Sequence, residues 1–286
     1  MSYFSAFIYG LIQGLTEFLP VSSSGHLAIL PHILSVEDPG VFFDILMHVG
    51  TALSVIVYYW AWLKRLFFKL PFIFVNKMSY RDKDLPFLRN CIFTTLVTVG
   101  FVFFFQEGNG FVRAHPKIMA FNFAFFGLLL FLADKYCTLS PFSEGFQTEK
   151  RLLLKKGFVI GLAQALAVFP GVSRSGATLT AARFMNLSRA EATHFSFLLS
   201  LPMIFAGLVM KGREFFKGVD IEGLLKSEKM YSEILSMVGP SLLGIFVSFV
   251  VGIAAIHFFI KIFQRMGPWV FMVYRFFIAT LLFYYL

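Results

Sequence analysis

Residues 13–26 read QGLTEFLPVSSSGH, and residues 170–178 read PGVSRSGAT. Each is a short polar, Ser/Gly-rich break inside an apolar stretch, 4–34 in the first case and 157–186 in the second. Non-helical backbone at membrane depth is tolerated only where it lines protein or a wet cavity, because hydrocarbon offers it no hydrogen bonds. The two segments therefore predict helix–turn–helix pairs that enter the membrane and leave on the same side.

Shifting the chain by 151 residues superimposes the two breaks without a gap. Gly10, Leu11, Gln13, Leu15, Val21, Ser22, Ser24 and Gly25 fall on Gly161, Leu162, Gln164, Leu166, Val172, Ser173, Ser175 and Gly176, all identities. The apolar runs follow the same shift. Six read as full spans: 41–62, 88–106, 117–134, 192–210, 235–257 and 268–286. Each half holds one re-entrant pair and three spans, an odd number, so the halves lie in opposite orientations. The expected fold is an all-α polytopic membrane protein built as an inverted-topology repeat. Repeat 1 covers about 1–134, a solvated connector 135–156 and repeat 2 about 157–286, together one membrane domain. Such folds hold their site at the repeat interface near the midplane.

Composition agrees. Of 286 residues, 58% are hydrophobic and 14% charged, with a mean hydropathy of +0.76. A soluble domain carries about 25% charged residues, and apolar runs of about 17–25 residues are what a bilayer requires. Forty phenylalanines suit a lipid-facing surface. The net charge of +9 would suggest nucleic acid in a soluble protein. Here the basic residues sit mainly in loops between apolar runs, so membrane lipids are the expected partner and nucleic acid is not. Loops 63–87, 135–156, 183–191 and 258–267 hold 15 Lys/Arg against 6 on the opposite side. By the positive-inside rule those loops are cytoplasmic and both termini outside. Cys91 and Cys137 have neither a metal-ligand spacing nor a disulfide framework. The N-terminus lacks the basic region of a cleavable signal, so the first apolar segment is expected to stay in the mature chain.

The polar residues of the breaks suggest chemistry. Gln13 and Glu17 are four apart and share a helix face. A carboxylate deep in an apolar run costs about 2.5–3.5 kcal/mol on insertion scales, so Glu17 is a candidate metal ligand, base or orienter of a histidine; a structural polar pair is the plain alternative. Ser22, Ser23, Ser24, Gly25 and His26 follow. Hydroxyls and free N–H groups at a helix N-terminus suit phosphate, and a Ser near a His near a carboxylate is the layout of an activated nucleophile. Ser as a simple helix cap explains the hydroxyls but not His26. In the second break, Ser173, Ser175 and Gly176 repeat the pattern, while Arg174 replaces Ser23 and Ala177 replaces His26. A guanidinium fits phosphate bidentately; a plain ion pair with Glu17 would also satisfy it. Asp44 and His48 share a helix face and could look into the same cavity. Gln164 mirrors Gln13 and is expected to bond across the repeat. Arg183, Arg189 and Arg275 read as interfacial or packed.

These residues resemble a known family. QGLTEFLPVSSSGH fits the (Glu/Gln)-x-x-x-Glu and PVSSxGH pattern, and PGVSRSGAT the PGxSRSG pattern, of the undecaprenyl-diphosphate phosphatases, also called bacitracin-resistance proteins. Spacing, length and apolar character agree along the whole chain. The resemblance implies that Glu17, Ser23, His26 and Arg174 are essential, with Gln13 in the permitted Gln form. It implies hydrolysis of undecaprenyl diphosphate to the monophosphate and inorganic phosphate, recycling the carrier lipid for peptidoglycan synthesis, cell wall biogenesis and cell shape. It also implies a divalent cation (Mg or Ca), resistance to the antibiotic bacitracin, and a place in the bacterial cytoplasmic membrane. PAP2-type phosphatases are excluded: their SRxxxxxHxxxD pattern needs His and Asp where this chain has Phe195 and Leu199.

The expected working site pairs Arg174, the serine turn and a cation, with Glu17 as metal ligand or orienter of His26, against the pyrophosphate. Ser23, His26 or a water is the nucleophile. Gln13, Ser22, Ser24, Gly25, Ser173, Ser175 and Gly176 would line it. The rival function is a polyprenyl-phosphate flippase using the same interface. A homodimer is compatible with the sequence.

Overall fold

The computed structural model describes residues 2–34, 40–74, 84–105, 107–113, 115–137, 150–218 and 228–285. Among these there are α-helices and short 3-10 turns but no strand. The first half contains α1 (Tyr3–Thr16), α2 (Ser23–Leu34), α3 (Gly40–Tyr58), α4 (Trp60–Lys69), α5 (Asp84–Phe105), α6 (Glu107–Arg113) and α7 (Pro116–Tyr136). The second contains α8 (Lys150–Ala165), α9 (Arg174–Phe184), α10 (Arg189–Gly218), α11 (Glu228–Met266) and α12 (Trp269–Tyr285).

The chain is an all-α polytopic membrane protein. Among the described residues four helices are long and apolar enough to cross a bilayer, Asp84–Phe105, Pro116–Tyr136, Arg189–Met210 and Ser236–Met266, or five if a bent pair counts as one span. Two expected spans differ in detail. The run 41–62 is not one straight helix but bends by 82° between Phe43–Tyr58 and Trp60–Phe72. Tyr59 leaves helical geometry (φ −103°, ψ 16°), its hydroxyl lying 2.8 Å from His194 Nδ1. Beyond it Lys64 and Arg65 interrupt the apolar run. The last expected span forms a helix of 17 residues, at the short end of what crosses a bilayer. Helix α8 starts at Lys150, inside the expected connector; residues 138–149 of that connector lie outside the described residues.

At the offset of 151, α1, α2, α3, α5 and α7 fall on α8, α9, α10, α11 and α12. Contacts follow the same pairing. Helix α1 packs on α11 of the other half, and its mate α8 packs on α5 of the first. Helices α3 and α10, and α7 and α12, meet as mates across the interface. The first helix of each re-entrant pair therefore packs on a span of the other half. The shared glycines make the exchange possible. A Cβ on Gly10 would sit 2.5 Å from the Gly244 carbonyl oxygen, and one on Gly161 would sit 2.8 Å from that of Thr94. Without a hydrophobic drive between helices in lipid, small residues that admit a neighbouring backbone supply the packing. Gln164 Nε2 donates to Thr98 Oγ1 at 3.0 Å, the bond across the halves expected of it.

Candidate active site

Both breaks fold alike. Helix α1 ends at Thr16 and α2 begins at Ser23; α8 and its 3-10 turn end at Val168 and α9 begins at Arg174. The residues just before α2 and α9, Ser22 and Ser173, have φ of 71° and 72°. A positive φ is uncommon outside glycine, and its recurrence at both equivalent serines sets the two second helices at the same angle to their turns. Each turn is closed by matching bonds. The Ser22 carbonyl accepts from His26 N–H at 3.2 Å and the Ser173 carbonyl from Ala177 N–H at 2.9 Å. Ser173 Oγ also caps α9 by accepting from Gly176 N–H at 3.1 Å. Gly25 lies against Phe123, where a Cβ would come within 2.5 Å of the ring.

The turns then interlock. Ser22 Oγ accepts from Gly171 N–H at 3.2 Å, and Ser175 Oγ donates to the Leu19 carbonyl at 2.9 Å. Arg275 on α12 binds both. It is fully buried and donates to the carbonyls of Pro20 (2.9 Å), Gly171 (2.6 Å), Val172 (3.2 Å), Asn122 (3.1 Å) and Phe123 (2.8 Å). No carboxylate faces it among the described residues. A guanidinium carries five N–H donors in a rigid fork, and here that fork holds two non-helical turns and α7 in one geometry. The sequence marked Arg275 only as packed; its partners are backbone groups, which leave no residue signature.

At the centre is Glu17, 6% exposed. Arg174 Nη2 donates to Oε1 at 2.7 Å. Ser23 Oγ donates to Oε2 at 2.7 Å, and Gln13 Nε2 to the same oxygen at 3.0 Å. His48 Nε2 stands 3.6 Å from Oε2, and its Nδ1 lies 2.7 Å from the Asp44 backbone carbonyl. Glu17, Ser23, Arg174 and Gln13 are thus gathered by one carboxylate, with His48 beside them. Arg174 Nη1 is enclosed and has no hydrogen-bond partner, so the guanidinium keeps donors for an anion.

His26 is placed differently from the expectation that Glu17 orients it. Its Nδ1 lies 2.8 Å from the Ser22 carbonyl and its Nε2 2.7 Å from the Tyr274 hydroxyl. The carbonyl can only accept, so Nδ1 carries the proton and Nε2 accepts from Tyr274. The two rings are nearly parallel, 5.7 Å apart. Ser23 and His26 remain on one face of α2, three residues apart. Tyr274 had no signal in the sequence. Ser24 Oγ is 3.4 Å from Ser22 Oγ, and Ser173 Oγ 3.2 Å from Ser175 Oγ; both pairs belong to the turns rather than to Glu17.

A resident metal centre does not fit the described residues. No three of their His, Cys, Asp and Glu side chains cluster as a ligand set, and Glu17 already accepts from three donors. Arg183 and Arg189 serve elsewhere: both donate to Asp134, at 2.8 Å and 2.6 Å, as packed partners joining α7, α9 and α10.

The family model for the bacitracin resistance protein BacA matches residues 6–281, nearly the whole chain. The chain belongs to that family.

Proposed function

We propose that this member of the bacitracin resistance family hydrolyses undecaprenyl diphosphate to undecaprenyl phosphate and inorganic phosphate. The observation that carries the reading is that one buried carboxylate, Glu17, holds a hydroxyl from the first half and a guanidinium from the second. A transport site for a phosphate needs the guanidinium but not the hydroxyl–carboxylate pair, which favours hydrolysis over flipping.

Ser23 Oγ attacks the terminal phosphorus while Glu17 Oε2 takes its proton. The bond from that phosphorus to the bridging oxygen breaks, and the lipid monophosphate leaves with that oxygen. Arg174 and the N-termini of α2 and α9 hold the phosphoryl oxygens, the dominant need in phosphoryl transfer. Water then attacks the phosphoserine, its proton passing to His26 Nε2 once the Tyr274 hydroxyl yields. Glu17 returns its proton to Ser23 as the phosphorus–Oγ bond breaks, and His26 gives up its proton to the departing inorganic phosphate or to water, which restores the starting state. A dependence on Mg or Ca would come from a cation carried by the pyrophosphate, since that ion uses few protein carboxylates and several phosphate or water oxygens.

The test is phosphate release by the purified protein from farnesyl or undecaprenyl diphosphate. Wild-type turnover in Glu17→Ala or Arg174→Ala would overturn the proposal. A liposome assay that detects lipid flipping without phosphate release would transfer the site to transport.

A further inference from the structure

A mainly apolar cavity lies apart from the residues around Glu17. It lies between α4, α5 and α10, has a volume of about 750 Å³, and is walled by Leu63, Leu66, Leu88, Cys91, Leu198 and Leu201. That size falls within the roughly 300–1,000 Å³ of pockets that hold a small ligand. His48, beside Glu17, and Tyr58, at the end of α3 next to the pocket's Trp60, are ten residues apart on α3, roughly 15 Å at 1.5 Å per residue, and neither Glu17 nor His48 lines the pocket.

Its surroundings say what fits. The bend of 82° at Tyr59 turns α4 sharply away from the axis of α3. Helix α4 is WAWLKRLFFK, with Leu66 buried and Trp60, Phe67 and Phe68 more than 60% exposed. A short helix with an apolar face, basic residues and indoles at its edge lies in the membrane interface. Trp60 and Lys64 line the cavity with these apolar residues. Arg65 and Lys69 share one carboxylate, Asp84, at 3.5 and 3.4 Å. Lys64 has no ion-pair partner among the described residues. An apolar cavity lined also by one lysine that has no ion-pair partner among the described residues is complementary to an amphiphile with an apolar tail and a negative head.

We propose that the cavity between α4, α5 and α10 binds one anionic phospholipid, an acyl chain among Leu66, Leu88 and Leu198 and the phosphate against Lys64. By the positive-inside count this lipid comes from the cytoplasmic leaflet, whose anionic headgroups attract such residues. The tail wedges between α4 and the spans α5 and α10, filling space that side chains leave open.

Tryptophan fluorescence tests this on the full-length protein in vesicles. Two of the three tryptophans, Trp60 and Trp62, lie on α4, and Trp269→Phe removes the third. Phosphatidylcholine vesicles containing phosphatidylglycerol are prepared twice at the same mole fraction, with bromine on the acyl chains of one lipid or the other. The expected result is quenching by brominated phosphatidylglycerol beyond its mole fraction, an enrichment of about fivefold for each cation engaged. Lys64→Glu should abolish the enrichment. Cys91→Phe, which fills the cavity with the charges intact, should abolish it too, with phosphate release in detergent reporting an intact fold. Equal quenching by both lipids in the parent protein overturns the proposal without reference to any variant. Enrichment that survives Cys91→Phe overturns it in favour of surface charge alone. Stoichiometric displacement by polyprenyl phosphate overturns it in favour of the substrate's tail.

Discussion

Arg174 Nη2 meets Glu17 Oε1 at 2.7 Å across 157 positions of chain. The two side chains come from the two breaks, so the bond joins the halves at the point where they differ most. Removing one partner of a buried charge pair typically costs 3–5 kcal/mol, because the other charge is stranded. Glu17→Gln and Arg174→Ala should therefore both lower thermal stability. Each should also reduce turnover by at least about 10²–10³-fold, the usual effect of deleting one group that stabilises transition-state charge. The double variant Glu17→Gln with Arg174→Met strands no charge and should recover stability without recovering activity. Thermal unfolding and phosphate release, measured together, check this.

Ser23 and Ser24 are neighbours with different partners. Ser23 donates to Glu17, whereas Ser24 lies by Ser22. Ser23→Ala should abolish turnover, and Ser24→Ala should stay within about tenfold, the scale of one neutral hydrogen bond. Acid quenching during turnover of substrate labelled in its terminal phosphate should trap label on Ser23. Label on His26 instead, or none in a Ser24→Ala protein with normal turnover, would exclude Ser23 as nucleophile.

Arg275 holds five carbonyl groups from three segments. Lysine has three donors and no fork. Arg275→Lys should leave carbonyls unpaired, at about 1–3 kcal/mol for each buried group lost. A fall in melting temperature is expected together with a fall in kcat larger than any change in KM, since Arg275 sets the turns and does not face substrate. A KM effect alone would mean that it binds the pyrophosphate.

Gly25→Ala places a methyl group against the Phe123 ring. Overpacking of this kind costs about 1–3 kcal/mol and here pushes on the turn that carries Ser23 and His26. Activity and stability should both drop, and Phe123→Leu in the same protein should restore them in part. Failure of the second change to help would place the defect in the backbone of α2 rather than in the contact.

Residues that act through local pattern were legible in the sequence. The helix breaks, the offset of 151 and the asymmetry of Ser23 opposite Arg174 need only hydropathy and spacing. The high energy of polar groups in hydrocarbon marked Glu17, the serine turn and Arg174, the family resemblance singled out Ser23 among the serines, and Glu17, Ser23 and Arg174 do converge. The expected link from Glu17 to His26 is absent because α2 turns His26 toward Tyr274, while α3, a distant segment, brings His48 to Glu17.

The sequence by itself determined an all-helical membrane protein of two related halves, and it named the residues that make those halves unequal, since burial in lipid penalises any stray charge or backbone break. Only the tertiary structure decided which of those groups touch. Helices α1 and α8 are exchanged between the halves, so the partners of each turn lie in the other repeat. Arg275 recognises carbonyl oxygens that every residue possesses, and Tyr59 at the bend meets His194 from 135 positions away. Such relationships rest on backbone atoms and long-range packing, which residue types and their spacing do not encode one position at a time.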